Sequence, residues 1–474
     1  MSPQSDTPLA ARQSAARGRG FYRPTLPRTV AFWSLAGVFC LLFVAVAAPT
    51  PLYGVYQAEW HFSVITLTAV FAVYALVLLV TLLMFGSVSD HFGRRRTIVA
   101  GLAAYAVACG VFLAAGGVGA LFAARALQGV AVGLAAGALG AALLELEPEG
   151  RVLAPAVSTA AQALGLAIGG FGASALVQYG PARTHLVWWL LLGAGLAGIL
   201  AVVAAPESGA ARSRARPSFR PRLRIPREAR GVFAVAVPCL IGAFGLNGFY
   251  LSLGPSLAAQ LFRSQNLLWG GVVIVLLFGV GVPVVFAVRG SRPSNVMLGG
   301  CVALSAGALI TFAGVAGRTS VLLLAGTTVA GLGSTPAFMG AYGTIVAVAR
   351  PNERAGLVAA IFTVGYLAFS LPAVIAGVAT SHYGLHSTAL VYAPVVAVLA
   401  ASAAASLVVL RARAGRAAVR AAAHQDPPPG PPAVGPDAGR TAPATSSSPG
   451  SSRRWSRRGR QRFIAAISRM HRLR

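Results

Sequence analysis

An arginine and a glutamine stand one helical turn apart inside an otherwise apolar stretch. Arg125 and Gln128 lie in the segment 118–143, and Gly129 follows them directly. A guanidinium inside a membrane span is costly unless it is paired or faces water, so it marks a candidate functional site. The alternative is that Arg125, close to one end of the segment, extends its charge to the membrane interface. Gln128 would share the helical face of Arg125, which favours the functional interpretation.

A second group of chemically suited residues occupies the short loop after the segment 64–86. Gly86, Asp90 and Gly93 follow one another at four- and three-residue spacing, and three consecutive arginines begin at Arg94. Glycine permits a tight turn, and an aspartate can accept hydrogen bonds from a helix N-terminus or pair with arginine. A merely basic loop would explain the arginines but not the spacing of the other three.

Carboxylates for proton transfer or catalysis are few. Glu145, Glu147 and Glu149 cluster at the end of the segment 118–143, where we expect them to be solvated partners of Arg151. Membrane enzymes usually gather His, Asp or Glu at a bilayer surface, and no such cluster occurs here. The chain has no lysine, which excludes a GxxxxGK nucleotide-binding loop. We therefore predict no enzyme activity, no cofactor and no metal site.

Polar side chains near the middle of apolar segments are candidates for a substrate cavity. They are Gln162, Asn247, Tyr250, Tyr342 and Tyr366. Each alone could equally form a hydrogen bond between helices. Together they predict a cavity with few fixed charges, suited to a neutral or amphipathic organic compound.

The elements that must position these residues are membrane helices. The composition is 56% hydrophobic and 11% charged, whereas soluble domains carry roughly 25% charged residues, so a water-soluble fold is excluded. Twelve apolar segments are long enough to cross a bilayer. They lie at roughly 29–49, 64–86, 97–115, 118–143, 153–177, 185–205, 231–254, 268–288, 295–316, 320–349, 357–379 and 386–410. The sequence predicts an all-α membrane protein of twelve transmembrane helices.

The segments fall into two groups of six that share sequence features. Pro148 and Arg151 after the fourth segment match Pro351 and Arg354 after the tenth at a constant offset, which indicates duplication. We therefore predict two pseudo-symmetric six-helix bundles. The predicted regions are an N-terminal arm 1–28, a first bundle 29–205, a basic linker 206–230, a second bundle 231–410 and a tail 411–474.

The placement of arginine predicts the orientation of the chain. All 39 basic residues are arginine, and they give a net charge of +28. With the N-terminus inside, the inner loops hold 16 arginines and the outer loops three, as the positive-inside rule requires. We expect a multi-pass protein of a bacterial-type inner membrane with both termini cytoplasmic. The charge then serves topology and contact with anionic lipid, and not nucleic-acid binding.

The tail after the last apolar segment has two parts. The stretch 425–452 is rich in Pro, Ser and Gly and is predicted to be disordered. The stretch 453–474 has apolar residues at helical spacing among arginines, which predicts an amphipathic helix on the anionic cytoplasmic leaflet. An unstructured basic tail without function is the alternative.

The loop from Gly86 to Arg96 resembles the GxxxD(R/H)xGRR(R/K) hallmark of the major facilitator superfamily. The stretch from Arg125 to Gly129 is similar to the RxxQG pattern of the same family. This resemblance implies two six-helix bundles around a central cavity that opens alternately to each side. It would make Gly86, Asp90, Gly93 and Arg94 a cytoplasmic latch against the eleventh helix. It would make Arg125, Gln128 and Gly129 candidates for proton coupling.

The resemblance extends to bacterial proton antiporters for drugs and metabolites. The stretch 165–170 is similar to the GPxxGG ending of their fifth helix, although the proline is missing. We therefore predict a monomeric secondary transporter that exports a small organic compound in exchange for protons. An importer of a neutral metabolite, a non-transporting sensor and a membrane enzyme are the alternatives.

Overall fold

The structure is a computed structural model that describes residues 26–85, 92–149, 152–207, 224–350 and 353–423. Nearly all of these residues are helical, and none of them is assigned to a strand. Gly86 and Asp90 of the predicted latch lie outside the described residues. The predicted amphipathic tail 453–474 lies outside them as well.

The first six spans come from seven helices, because proline divides the first span. Pro49, which has no N–H to donate, begins a new helix directly after Ala48, and this second helix carries the first span to Trp60. The first span thus extends eleven residues beyond its predicted end at 49. In order, the helices are Arg28–Ala47, Pro49–Trp60, Val64–Phe85, Arg94–Leu113, Val118–Leu146, Ala154–Tyr179 and Leu186–Ala204.

The second six spans are also apolar helices. The eighth span is interrupted after Phe278 and resumes at Gly281. The last helical segment passes through Gly384, whose φ of 81° and ψ of 157° are not helical, so it contains the eleventh and twelfth spans. The helices are Arg230–Phe262, Leu268–Phe278, Gly281–Ala287, Pro293–Ala316, Ser320–Ala347 and Arg354–Ala423.

The described residues contain eleven helical segments that are long and apolar enough to span a membrane. Because the segment Arg354–Ala423 holds two helices, the prediction of twelve transmembrane helices is confirmed. The twelfth helix continues to Ala423, beyond its predicted end at 410. The described residues up to Arg416 belong to one compact unit, and the helical residues 417–423 belong to a second.

Glycines bring neighbouring spans into backbone contact. A Cβ added to Gly165 or Gly169 on the fifth span would collide with backbone atoms of Cys40 or Val44 on the first span. A Cβ on Gly129 of the fourth span would lie 2.6 Å from the carbonyl oxygen of Tyr74 on the second. Lipid gives helices no hydrophobic drive to associate, so small residues that permit close packing hold such bundles together. This packing fixes the helices that carry the candidate site.

The two halves of the molecule touch each other at the end remote from Arg94. Gly377 on the eleventh span packs against Thr68 on the second, and the rings of Phe369 and Phe71 lie 4.9 Å apart. Gly271 on the eighth span packs against Ser174 on the fifth. We call this end the closed end.

The opposite end, which carries Arg94 and Arg95, is called the arginine-rich end. Two ion pairs between described residues at this end each join elements of the same half: Arg94 lies 3.4 Å from Glu145, and Arg350 lies 3.5 Å from Glu228. Among the described residues, each half thus has its own ion pair at the arginine-rich end, whereas the contacts at the closed end join the two halves.

Candidate functional site

A cavity lies between the two halves, near the middle of the spans. The space between its lining side chains measures about 770 Å³, with open solvent at its mouth included. The first, second and fifth spans contribute one wall, and the seventh, eighth, tenth and eleventh contribute the other. The lining residues are Phe43, Val46, Tyr74, Thr159, Gln162, Ala163, Leu166, Phe244, Asn247, Leu251, Phe278, Ser334, Thr335, Phe338, Phe362, Tyr366 and Phe369.

Three of the predicted substrate residues line this cavity. They are Gln162, Asn247 and Tyr366, which come from the fifth, seventh and eleventh spans. The Ser334 hydroxyl donates to the Asn247 side-chain oxygen at 3.1 Å, so two lining residues hold each other in place. Gln162 donates to the Ser158 carbonyl oxygen at 3.2 Å, one turn back on its own helix.

The other two predicted substrate residues lie away from the lining. The hydroxyl of Tyr250 is buried and lies 2.9 Å from that of Thr327 and 3.5 Å from that of Thr311. It therefore joins the seventh span to the ninth and tenth. Tyr342 packs its ring beside those of Phe338 and Phe362, at 6.1 and 6.4 Å between ring centres.

Aromatic rings dominate the lining, and searching the sequence for polar residues alone missed most of them. Eight of the seventeen lining residues are aromatic, and none is charged. Phe362, Tyr366 and Phe369 stand four and three residues apart on the eleventh span. That spacing places the three rings on one helical face, which is the sequence signal that could have revealed them.

Arg125 is fully buried and does not reach the membrane interface. Its Nη1 donates to the side-chain oxygen of Gln128 at 2.8 Å and to the Val46 carbonyl at 3.1 Å. Gln128 in turn donates to the Ala45 carbonyl at 3.0 Å. Gly129 packs against the second span, as described above. Through these contacts, Arg125, Gln128 and Gly129 pack the fourth span against the first and second spans.

The guanidinium of Arg125 also lies over two aromatic rings. Its carbon lies 4.5 Å from the centre of the Tyr74 ring and 5.7 Å from that of Phe71. Because Tyr74 lines the cavity, Arg125 sits one side chain behind the cavity wall.

The described part of the predicted latch lies at the arginine-rich end. Gly93 has a φ of 93°, a backbone conformation that favours glycine, and it directly precedes the third span. Arg94 forms an ion pair with Glu145 at 3.4 Å. Glu145 therefore contacts Arg94, while its expected partner Arg151 lies outside the described residues.

Glu147 has a role that the sequence analysis did not predict. Its carboxylate accepts hydrogen bonds from the backbone N–H groups of Leu153 and Ala154. A carboxylate at that position satisfies donors that the first turn of a helix leaves free. Glu147 thus caps the start of the fifth span.

The described residues contain no group of three or more His, Cys, Asp or Glu side chains that could hold a metal ion. The chemistry of the cavity therefore consists of hydrogen bonds, aromatic contacts and the nearby charge of Arg125.

Two helical halves around a central cavity form an architecture that many secondary transporters share. The sequence profile of the Major Facilitator Superfamily matches residues 34–292, more than half of the chain. The chain belongs to the major facilitator superfamily. It is a membrane transporter of a small molecule and not an enzyme.

Solved structures share the fold. The human organic anion transporter MFSD10 (TETRAN) is similar with a TM-score of 0.59 at 16% identity, over 80% of this chain and 100% of that one. The nucleoside transporter NupG is similar with a TM-score of 0.60 at 14% identity, over 79% of this chain and 98% of that one. No curated protein sequence matches the chain.

Proposed function

We propose that the chain moves a small aromatic or amphipathic organic compound across the membrane by alternating access. The observation that carries this proposal is the cavity between the halves, with eight aromatic rings, several polar side chains and no charged residue in its lining. Aromatic faces bind apolar bodies and stack on flat rings. Gln162, Asn247 and Tyr366 are the candidates for hydrogen bonds that orient the compound.

The position of the cavity along the spans supports one state of the transport cycle. Thr159 stands in the second turn of the fifth span, and Phe362 stands in the third turn of the eleventh. Both spans begin at the arginine-rich end, so the cavity extends toward that end. With both termini cytoplasmic, as the arginine distribution predicts, this is an inward-facing arrangement.

For the direction and energy source of transport, we propose export in exchange for protons, as predicted from the sequence. All eleven acidic residues lie outside the middle of the spans, and a guanidinium keeps its proton in proteins. Arg125 would therefore act on coupling through its fixed charge, while Asp90 at the latch would be the group that titrates. Import of a neutral metabolite uses the same geometry, so that alternative stays open.

We also propose four further properties that were predicted from the sequence. They are the latch of Gly86, Asp90, Gly93 and Arg94, the coupling role of Arg125, Gln128 and Gly129, the contact with anionic lipid, and a monomeric state.

A binding screen followed by flux tests the proposed function. Purified full-length protein is screened against amphipathic aromatic compounds and, separately, against sugars and polyols for thermal stabilisation. The best stabiliser is then followed into proteoliposomes with and without an imposed pH gradient. We expect aromatic compounds to stabilise the protein and to cross the membrane faster with a gradient than without one.

Two tyrosines provide matched variants for the flux measurement. Tyr366→Leu removes a lining residue, whereas Tyr383→Leu alters a side chain that is 76% exposed, near the end of the eleventh span. Flux should fall in the first variant and persist in the second. Stabilisation by sugars alone would contradict the proposed class of substrate. An equal flux with and without the pH gradient would contradict proton coupling.

A further inference from the structure

The charge of Arg125 has no countercharge among the described residues. Its three hydrogen-bond acceptors are neutral oxygens: the carbonyls of Val46 and Phe71, at 3.1 and 3.5 Å, and the side chain of Gln128 at 2.8 Å. A guanidinium has five N–H donors and stays protonated, and in the described structure its Nε has no partner. A buried, unbalanced cation with an unused donor favours the approach of an anion.

A second buried donor without a partner lies in the same region. Tyr53, on the second helix of the first span, is 2% exposed, and its hydroxyl has no hydrogen-bond partner among the described residues. Tyr53 follows seven residues after Val46, whose carbonyl accepts from Arg125, and it interacts electrostatically with the Arg125 charge. Buried polar atoms normally have hydrogen-bond partners, so two buried donors without one near a single cation call for an explanation. A carboxylate has two oxygens, so it would accept one hydrogen bond from each of these donors.

This region adjoins the cavity. Tyr74 lines the cavity and covers the guanidinium with its ring face, at 4.5 Å from the ring centre. Val46, whose carbonyl accepts from Arg125, lines the cavity as well. A rotation of the Tyr74 side chain would therefore place Arg125 in direct reach of a ligand in the cavity.

The electrostatic balance of the cavity follows from the same placement. None of the lining residues carries a charge, and Arg125 stands directly behind the wall. Charges act over longer distances in a medium of low dielectric constant than in water. The field in the cavity therefore attracts anions and repels cations.

We infer that Arg125 and Tyr53 form an anion subsite of the substrate cavity, and that the substrate is an aromatic or amphipathic compound with a single negative head group such as a carboxylate. This inference rests on the proposed function and narrows its amphipathic class to monoanions. The rings of the lining hold the body of the compound, and the subsite holds its head.

Binding of three matched probes tests the subsite. Equilibrium dialysis of the purified full chain in low-salt buffer without added chloride measures the affinities for 2-naphthoate, 2-naphthamide and 2-naphthylmethylammonium. These probes share one aromatic body and carry a negative, a neutral and a positive head. The expected order is naphthoate above naphthamide above the ammonium compound, with the first two separated about tenfold. Added chloride should weaken naphthoate binding, because it competes for the same donors.

Three variants assign the preference to the two residues. Arg125→Gln should reduce the ratio of naphthoate to naphthamide affinity about tenfold, and Tyr53→Phe should reduce it several-fold. Tyr53→Phe removes a single oxygen and keeps the test valid if Arg125→Gln does not fold. Arg289→Gln, at an exposed arginine outside the site, is the matched control and should leave the ratio unchanged.

The outcomes separate this inference from the proposed function beneath it. Equal affinity for naphthoate and naphthamide, or a ratio that survives both variants, overturns the subsite but leaves an aromatic transport cavity intact. Chloride binding without a preference for naphthoate would show that the anion is not the substrate's head. Failure of all three probes to bind contradicts the proposed substrate class itself, and the subsite with it.

Discussion

At the scale of single residues, some polar side chains of the site form hydrogen bonds with one another, and others line the cavity and are available to a substrate. The Tyr250 hydroxyl forms hydrogen bonds with the hydroxyls of Thr327 and Thr311, so Tyr250 contributes to the packing of the helices. Asn247 accepts from Ser334 through its oxygen and lines the cavity with its amide. Sequence position alone gives both residues the same depth in the seventh span. The difference between them depends on which neighbouring spans carry hydroxyl groups.

A substitution at Asn247 tests its availability to the substrate. Asn247→Ala should weaken binding of the best stabilising compound about fivefold, because a hydrogen bond contributes about 1 kcal/mol. The measurement is a dissociation constant for the purified protein. Asn295→Ala, at an exposed asparagine near the start of the ninth span, is the control. An equal effect in both variants would remove Asn247 from the substrate contacts.

At the scale of elements, hydropathy in the sequence predicts the spans well because each span must be apolar over its whole length. What the sequence does not reveal is where a helix bends. Pro49 divides the first span, whereas Pro238 and Pro255 remain inside the continuous helix Arg230–Phe262. Helices in bundles tolerate proline when neighbours satisfy the freed carbonyl groups. That outcome depends on tertiary contacts, and local sequence alone does not specify it.

The contact between the first and fifth spans gives a prediction at this scale. A methyl group at Gly169 would collide with the backbone of Val44, whereas one at Gly172 on the same helix would meet open space. Gly169→Ala should therefore cost about 1–3 kcal/mol, a typical penalty for overpacking. Gly172→Ala should be neutral or slightly stabilising, since alanine favours the helix. Melting temperatures of the two purified variants that fall by the same amount would contradict this packing.

At the scale of the whole molecule, the duplication and the arginine pattern in the sequence predict two halves, but not how they meet. That information depends on side chains that come together from distant parts of the chain. Phe71 and Phe369 illustrate the point, because each is an ordinary apolar residue in its own span. The aromatic wall of the cavity was missed for the same reason. Aromatic residues face lipid and cavity alike, so a row of rings at helical spacing identifies a shared face, and the folded arrangement shows that this face lines the cavity.

The central claim is that transport requires the closed end to open. It is tested most directly by a reversible cross-link there. A Cβ at position 377 would lie about 2.9 Å from that of Thr68. This is shorter than the roughly 3.5–4.5 Å found in disulfides, so a small movement of the two spans apart accommodates the bridge. Thr68→Cys and Gly377→Cys are combined in a background without Cys40, Cys109, Cys239 and Cys301. Ser174→Cys with Gly271→Cys offers a second pair at the same end.

Flux of the best stabilising compound is measured before oxidation, after oxidation and after reduction, with each single-cysteine variant as control. The account predicts that oxidation abolishes flux in the double variants, preserves binding of the compound in detergent, and is reversed by a reductant. If fully cross-linked protein transported the compound as fast as the protein with free thiols, alternating access through this end would be contradicted.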